Sequence, residues 1–333
     1  MKKFTSKITL LVILFVLLTF GVFAQVTTAP AAGRPAFVEE AAKLETATGT
    51  LYGTLILPPS KAPYPVVLII AGSGPTDRNG NSTLLNGPND SLKMMAQGLA
   101  ANGIASLRYD KRGIAESAKA MKSEADLRFD DYINDAMQWG QLLRKDKRFS
   151  TLTIAGHSEG SLIGMLAAQR LSADGYISIA GIARPANLII LDQVRPKLPP
   201  DLLRTTEDIL ALLVAGNTAD NVPPPLAPLF RPSVQPYMIS WFRYDPSKEI
   251  AKLNAVVLIA QGTTDIQVTV DEAKALAKAR PTAKLLLIDG MNHVLKQVPD
   301  DKDKQVRSYS DPSLPIEPQL ITEMSKFVKK LKR

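Results

Sequence analysis

The sequence predicts an α/β fold: a mostly parallel β-sheet with helices on both faces and an inserted helical cap. Short runs rich in Val, Ile and Leu alternate with longer amphipathic stretches, as expected of successive strand–helix units. One such run leads into the motif Gly-x-Ser-x-Gly, which is followed by another amphipathic stretch. Late in the chain a proline-rich segment without strand-like runs interrupts the alternation, and this segment is the predicted cap.

Composition limits the chemistry that the chain can perform. Its 333 residues, 45% of them hydrophobic, suffice for one large α/β domain and exclude a disordered chain. The absence of cysteine excludes disulfides, cysteine-ligated zinc and thiol nucleophiles. His157 and His293 are the only histidines, so a histidine-rich metal site is excluded and imidazole chemistry has two candidates. The sequence implies neither a metal ion nor another cofactor.

The net charge of +8 does not indicate a nucleic-acid partner. Lys2, Lys3 and Lys7 belong to an N-terminal segment that is expected to be removed. The other basic residues are spread along the chain, apart from a short cluster at the C-terminus, and no aromatic residues interleave with a basic stripe. The sequence therefore predicts no nucleic-acid binding.

Residues 1–24 are typical of a signal peptide. Lys2 and Lys3 form a positive start, residues 8–20 are almost entirely apolar, and small or β-branched residues occupy the positions before the cleavage site that a signal peptidase reads. Cleavage after Ala24 predicts a secreted or periplasmic protein without stable membrane insertion. The alternative is an uncleaved membrane anchor, because the apolar segment is at the short limit for spanning a bilayer.

After the signal peptide the chain is expected to divide into a linker, a core and a cap. Residues 25–35 are the predicted linker, and residues 36–180 and 251–333 form the predicted core around the cap at residues 181–250. Strands are expected over the apolar runs at residues 51–57, 65–71, 104–109, 151–155, 176–180, 256–260 and 284–288. Helices are expected over the amphipathic stretches at residues 91–101, 125–145, 158–171, 201–214, 271–279 and 318–332.

The predicted cap carries aromatic residues, which indicate an apolar pocket for an acyl group. They are Phe230, Tyr237, Trp241, Phe242 and Tyr244. The alternative is a small subdomain that serves only for packing. We favour the cap because the insertion falls between the strand that follows the Gly-x-Ser-x-Gly helix and the strand before the candidate carboxylate described below.

The stretch from Gly156 to Gly160, Gly-His-Ser-Glu-Gly, predicts a nucleophile. It lies between an expected strand and an expected helix, and its glycines permit a sharp turn where a Cβ would clash with neighbouring backbone. Ser158 would stand at the tip of this turn beside a helix N-terminus, whose free N–H groups favour a developing oxyanion.

A serine hydroxyl needs a base, and His293 is the predicted one. His157 is adjacent to Ser158, so its side chain points away at a tight turn; we expect it to pack beneath the turn. His293 follows the last expected strand, where the histidine falls in the chain order Ser, Asp, His.

Asp265, directly after the strand at residues 256–260, is the predicted carboxylate partner of His293. Asp289, four residues before the histidine, is the competitor. Asp271 is expected to start a helix instead, because acidic residues suit the first helical turn.

The loop at residues 72–81, after the strand at residues 65–71, is expected to supply an oxyanion donor. Its glycines let the backbone approach a ligand. The backbone N–H of Ser73 is the first choice and that of Gly74 the second, with the N–H of Glu159 as the other donor. A phosphate-binding loop is excluded, because neither a Gly-Lys-Ser/Thr nor a Gly-x-Gly-x-x-Gly motif is present.

The combined motifs resemble bacterial α/β-hydrolases of the serine aminopeptidase-like, acyl-ester hydrolase branch. They are Gly-Ser-Gly-Pro-Thr-Asp-Arg-Asn-Gly-Asn at 72–81, Arg-Tyr-Asp-Lys-Arg-Gly-Ile-Ala-Glu-Ser at 108–117, Gly-His-Ser-Glu-Gly at 156–160, Gly-Thr-Thr-Asp at 262–265 and Asn-His at 292–293. The resemblance extends from about residue 36 to the end. One departure is Ala71, where many relatives carry a His-Gly pair. In such proteins the segment at residues 108–113 is an ion-paired turn with a structural role.

The resemblance implies a serine hydrolase that cleaves carboxylic esters through an acyl-enzyme, with a small-molecule acyl substrate. An export signal argues against acyl-CoA, which is a cytoplasmic cofactor. The same triad serves aminopeptidases and amidases, and a catalytically silent binding protein on a hydrolase fold is a further alternative. Binding a substrate's N-terminal amine would require acidic residues in the cap. The cap has four candidates, Glu207, Asp208, Asp220 and Asp245.

Overall fold

The computed structural model describes residues 37–332, in which eight strands form one sheet. The signal peptide predicted for residues 1–24 and the linker predicted for residues 25–35 lie outside the described residues. The strands are β1 (Val38–Thr46), β2 (Gly49–Leu57), β3 (Tyr64–Ile70), β4 (Ala105–Tyr109), β5 (Phe149–His157), β6 (Gly175–Ile179), β7 (Val256–Gly262) and β8 (Lys284–Ile288).

The strands lie in the order β1-β2-β4-β3-β5-β6-β7-β8. β1 and β4 run antiparallel to β2, and all other neighbours are parallel. Successive residues of β3 alternate between two apolar clusters, with Leu68 and Ile70 in one and Val67 and Ile69 in the other. Both faces of the sheet are therefore covered, which confirms the predicted fold class.

Helices fill both layers and the insertion. They are α1 (Ser91–Ala101), α2 (Phe129–Lys145), α3 (Glu159–Leu171), α4 (Ala186–Val194), α5 (Pro200–Val214), α6 (Ala227–Phe230), α7 (Gln235–Phe242), α8 (Pro246–Ala251), α9 (Val270–Ala279), α10 (Lys302–Ser308) and α11 (Pro318–Lys330). α1 and α11 pack on one face of the sheet, and α2 and α3 on the other. Within residues 37–332, no helix combines the length and apolar character needed to cross a bilayer.

β1 is a strand that the sequence does not predict. Its residues are largely Ala, Glu and Lys, which favour helices over strands. The strand forms because all nine of its residues pair with β2, from Val38 opposite Leu57 to Thr46 opposite Gly49. Tertiary pairing overrides local propensity at this edge of the sheet.

The segment between β6 and β7 is a helical insertion with an apolar cluster of its own. The cluster includes Ile189, Leu213, Phe230 and Met238. Of its helices only α5 was expected, because the others are short, with four to nine residues each. α7 packs on α2 of the core, where the Trp241 ring stacks on Phe129 at 5.7 Å between centroids.

Most of the cap aromatics do not form the expected acyl pocket. Trp241 and Tyr244 contact Phe129 of α2, while Phe230 and Phe242 lie in the insertion's own cluster. Tyr237 alone of the five lines the cavity described below. Four of these aromatic residues therefore attach the insertion to the core or hold it together.

Candidate active site

A sharp turn between β5 and α3 carries Ser158 at its tip. The Ser158 backbone has φ 54° and ψ −122°, a combination that residues with a side chain rarely adopt. A Cβ at Gly156 would collide with the backbone of Gly160. A Cβ at Gly160 would collide in turn with the backbone oxygens of Ile70 and Ala71. Only glycine fits at both positions, which explains the spacing of the motif.

His293 and Asp265, in the loops after β8 and β7, are in direct contact. His293 Nδ1 lies 2.8 Å from Asp265 Oδ2. Asp265 Oδ1 accepts hydrogen bonds from the backbone N–H groups of Gln267 (2.8 Å) and Val268 (3.0 Å). Burial raises the pKa of Asp265, but the charge of His293 and these hydrogen bonds outweigh burial and lower it below its ordinary value. The ionised carboxylate favours the His293 tautomer that carries its proton on Nδ1, which leaves Nε2 of His293 able to accept a proton.

The two other candidate carboxylates do not contact the imidazole. Asp289 Oδ1 accepts a hydrogen bond from the Thr263 hydroxyl at 3.0 Å, on the surface. Asp271 lies in the first turn of α9, where it pairs with Lys274. Asp265 is the carboxylate that the fold brings to His293.

The Asp265–His293 pair lies beside the turn that holds Ser158. The rings of His157 and His293 are 4.8 Å apart between centroids, and His157 directly precedes Ser158. Within residues 37–332 the Ser158 hydroxyl has no hydrogen-bond partner, so no bond joins it to His293 here. Such bonds between nucleophile and base are often long before substrate binds. The carboxylate–imidazole contact is formed, and His293 lies against the residue that precedes Ser158.

His157 packs beneath the turn and supports His293. Its Nε2 atom lies 2.8 Å from the backbone oxygen of His293, so Nε2 carries the proton and donates it. Burial, reinforced by the charge of His293, lowers the pKa of His157 to about 3. The His157 ring is therefore neutral at neutral and mildly acidic pH.

Replacing His157 with glutamine is expected to make stability less sensitive to acid. In the unfolded chain His157 takes up a proton below pH ~6.5, whereas in the folded chain it does so only near pH 3. The neutral His157 ring therefore contributes fully to the free energy of unfolding above pH ~6.5. This contribution is lost as the pH falls, by about 2–3 kcal/mol between pH 7 and pH 4.5. Urea unfolding at both pH values measures this loss. An equal loss in the free energy of unfolding in wild type and H157Q would contradict the assignment of His157 as a buried neutral imidazole.

The candidate oxyanion donors lie next to Ser158 and are unpaired. Gly72 is so close that a Cβ on it would lie 3.2 Å from the Ser158 Cβ. Within residues 37–332, the backbone N–H groups of Ser73, Gly74 and Glu159 have no acceptor. The Glu159 N–H is at the first position of α3, where the helix dipole adds positive potential. Free N–H groups beside a nucleophile can stabilise an oxyanion.

A cavity of about 600 Å³ lies between the core and the insertion. Gly74 and Glu159 form part of its wall. Much of the rest is apolar and includes Leu84, Ile114, Met121, Leu127, Pro228 and Val234. Its volume is in the range of small-molecule sites.

Sequence reasoning did not foresee the contacts behind the turn: Tyr132 was not considered, Lys111 was expected only in an ion-paired turn, and Tyr237 only in an acyl pocket. The Lys111 ammonium donates to Glu159 Oε2 at 2.7 Å and lies 4.9 Å from the centre of the Tyr132 ring. The Tyr237 hydroxyl, from the insertion, donates to Glu159 Oε1 at 2.6 Å. A signal was available: Glu159 is an acid at a predicted buried helix start, and a buried acid requires a cation or other donors.

The sequence is similar to hydrolases over much of its length. A family model described as serine aminopeptidase, S33, matches residues 89–228. Esterase EstD from Thermotoga maritima is 30% identical over 248 residues, which are 74% of this chain and 58% of EstD. The chain thus spans less than two thirds of the length of this relative.

Solved structures of esterases have a similar fold. Est1E from Butyrivibrio proteoclasticus with bound ferulic acid superposes with a TM-score of 0.56 at 20% identity, over 84% of this chain and 94% of Est1E. The esterase Pf2001 from Pyrococcus furiosus superposes with a TM-score of 0.55 at 13% identity, over 89% of this chain and 94% of that one. At such identities the likeness concerns the fold alone.

Proposed function

We propose that this chain, which has the α/β-hydrolase fold, is an exported serine hydrolase that cleaves carboxylic esters of small to medium acyl groups. The observation that carries the proposal is the 2.8 Å contact between His293 and Asp265 beside the turn that presents Ser158. The similarity to EstD, which is named an esterase, supports the ester class.

In the proposed reaction, Ser158 Oγ attacks the acyl carbon while His293 Nε2 takes its proton. Asp265 stabilises the imidazolium through Nδ1, and the N–H groups of Ser73 and Glu159 bind the oxyanion. The imidazolium then protonates the leaving alcohol, and an acyl-Ser158 ester remains. Water attacks this ester with His293 again as base, which releases the acid and restores the Ser158 hydroxyl.

The charges around the cavity favour esters over peptides with a free N-terminal amine. A buried ammonium requires an unpaired carboxylate. The carboxylates that line the cavity are already paired, Glu124 with Arg231 and Glu159 with Lys111. The aminopeptidase alternative requires acidic residues of the cap, and none of the four candidates lines the cavity. The four candidates are Glu207, Asp208, Asp220 and Asp245.

The test compares acyl esters with aminoacyl amides on protein that begins at Gln25. Release of p-nitrophenol from acetate, butyrate and octanoate esters is measured beside release of p-nitroaniline from aminoacyl anilides. We expect ester turnover and labelling by a fluorophosphonate probe. Turnover of anilides alone would favour the aminopeptidase alternative, and neither turnover nor labelling by folded protein would favour the silent binding protein.

Filling the cavity is expected to shorten the preferred acyl chain. Met121→Trp adds a bulky ring to the apolar wall, so a long chain loses its space while a short one does not. We expect kcat/KM for octanoate to fall about tenfold relative to acetate. Val256→Trp, on an exposed residue of β7, is the matched control. An unchanged octanoate-to-acetate ratio in M121W would show that the acyl chain binds elsewhere.

Export is the second part of the proposal, and it is supported by the basic start and apolar run of residues 1–24. N-terminal sequencing of the protein from a secreting host tests it. A start at Gln25 is expected, whereas a start at Met1 in a membrane fraction would favour the anchored form.

A further inference from the structure

A buried cation joins the two segments that carry the candidate oxyanion donors. The side chains of Lys111 and Glu159 are 1% and 4% exposed, and their charged groups are 2.7 Å apart. The same Lys111 ammonium donates to the backbone oxygen of Gly72 at 2.6 Å. One side chain on the loop after β4 therefore contacts both the loop after β3 and the start of α3.

The bond to the Gly72 oxygen also acts on the N–H of Ser73, because both belong to one peptide group. A trans peptide is planar, with its oxygen and its N–H pointing in opposite directions. Holding the oxygen against Lys111 therefore holds the N–H on the opposite side. A cation on the oxygen also polarises the peptide and makes its N–H a stronger donor.

The other donor is fixed through its own side chain. The Glu159 carboxylate accepts from Lys111 on one oxygen and from the Tyr237 hydroxyl on the other. Burial, together with the charge of Glu159, raises the pKa of Tyr237 well above its ordinary value, so its hydroxyl stays a donor. Both carboxylate oxygens are held, which restrains the position of Glu159 at the start of α3.

Stability alone does not account for a lysine at this position. A buried ion pair adds little net stability compared with apolar side chains of similar size, since both charges lose their hydration. The pair does provide a fixed geometry between two loops.

We propose that Lys111 is the positioning residue of the oxyanion hole, aligning the N–H groups of Ser73 and Glu159 with the oxyanion of the reacting ester. The proposal rests on the proposed esterase function. Lys111 does not touch the substrate carbonyl; it acts through the Gly72–Ser73 peptide and through Glu159.

The test compares an ester with its thionoester, in which sulfur replaces the carbonyl oxygen. Sulfur is a weaker hydrogen-bond acceptor, so turnover of a thionoester depends less on the oxyanion donors. For Lys111→Met we expect kcat for the ester to fall about 10²-fold with little change in KM. The ratio of ester to thionoester turnover is expected to fall about tenfold.

Two further variants separate positioning from folding. The double variant K111M/E159Q removes the buried carboxylate that K111M leaves without a cation, and it is expected to regain thermal stability while keeping the lowered ratio. Asp135→Asn disrupts another buried pair, in which Asp135 lies 2.6 Å from Arg112, and is expected to leave the ratio within about twofold of wild type. An equal loss of ester and thionoester turnover in folded K111M/E159Q, or no loss, would overturn the proposal. Absence of ester turnover in wild type would instead overturn the proposed function.

Discussion

Replacing Ser158 with alanine is expected to lower kcat for p-nitrophenyl butyrate by about 10⁵-fold and to abolish labelling by a fluorophosphonate. The variant lacks the only oxygen at the tip of the turn that can form the acyl-enzyme. The Ser158 hydroxyl has no hydrogen-bond partner within residues 37–332, so its removal breaks no such bond. Steady-state turnover and gel detection of the labelled protein measure both effects.

The control for this variant is its stability. Alanine has a Cβ as serine does, so the strain at φ 54° is unchanged. The melting temperature of S158A is expected to lie within about 3 °C of wild type. Ester turnover by folded S158A above one hundredth of the wild-type rate would exclude Ser158 as the nucleophile.

Asp265→Asn is expected to lower kcat by about 10⁴-fold through the wrong tautomer of His293. Asp265 Oδ1 accepts two backbone N–H bonds, so the amide oxygen of asparagine takes that position. The amide NH₂ group then faces His293 Nδ1, which must accept and therefore loses its proton. The proton moves to Nε2, which can no longer take one from Ser158. Single-turnover kinetics of acyl-enzyme formation measure the step affected.

The matched control is Asp289→Asn, on the competing carboxylate. Asp289 contacts the Thr263 hydroxyl on the surface and does not contact the imidazole. The kcat of the D289N variant is expected to stay within about twofold of that of the wild type. A large loss in D289N together with near-normal D265N activity would reverse the assignment of the two carboxylates.

The elements of the fold that could be predicted are those that a short stretch of sequence specifies by itself. Apolar runs such as the one at β3 indicate central strands because both faces are buried there, and β5 and α3 are recognisable from the glycines at the junction where they meet. β1 could not be recognised, since only its pairing with β2 makes it a strand. The short helices of the insertion likewise depend on packing and give weak sequence signals.

The same distinction applies to the candidate site. His293 follows from elimination, because the sequence holds two histidines, and Asp265 follows from its position after a strand. The contacts of Lys111 with Gly72 and Glu159, and of Tyr237 with Glu159, join residues 39, 48 and 78 positions apart. No local pattern specifies such contacts. They arise from how the loops after β3 and β4, α3 and the insertion meet in space.

The charged residues of β1, which make this strand hard to recognise from the sequence, also oppose edge-to-edge pairing with a second chain. Among residues 37–332, β1 pairs with β2 on one side only, so its other edge has backbone groups that a second chain could pair with. Glu39, Glu40, Lys43 and Glu45 lie along this strand. A second copy docking edge to edge would bring such charges together and strip their water, which opposes growth of a continuous intermolecular sheet. A more strand-like sequence here, rich in Val and Ile, would be easier to recognise and would make the protein prone to aggregate.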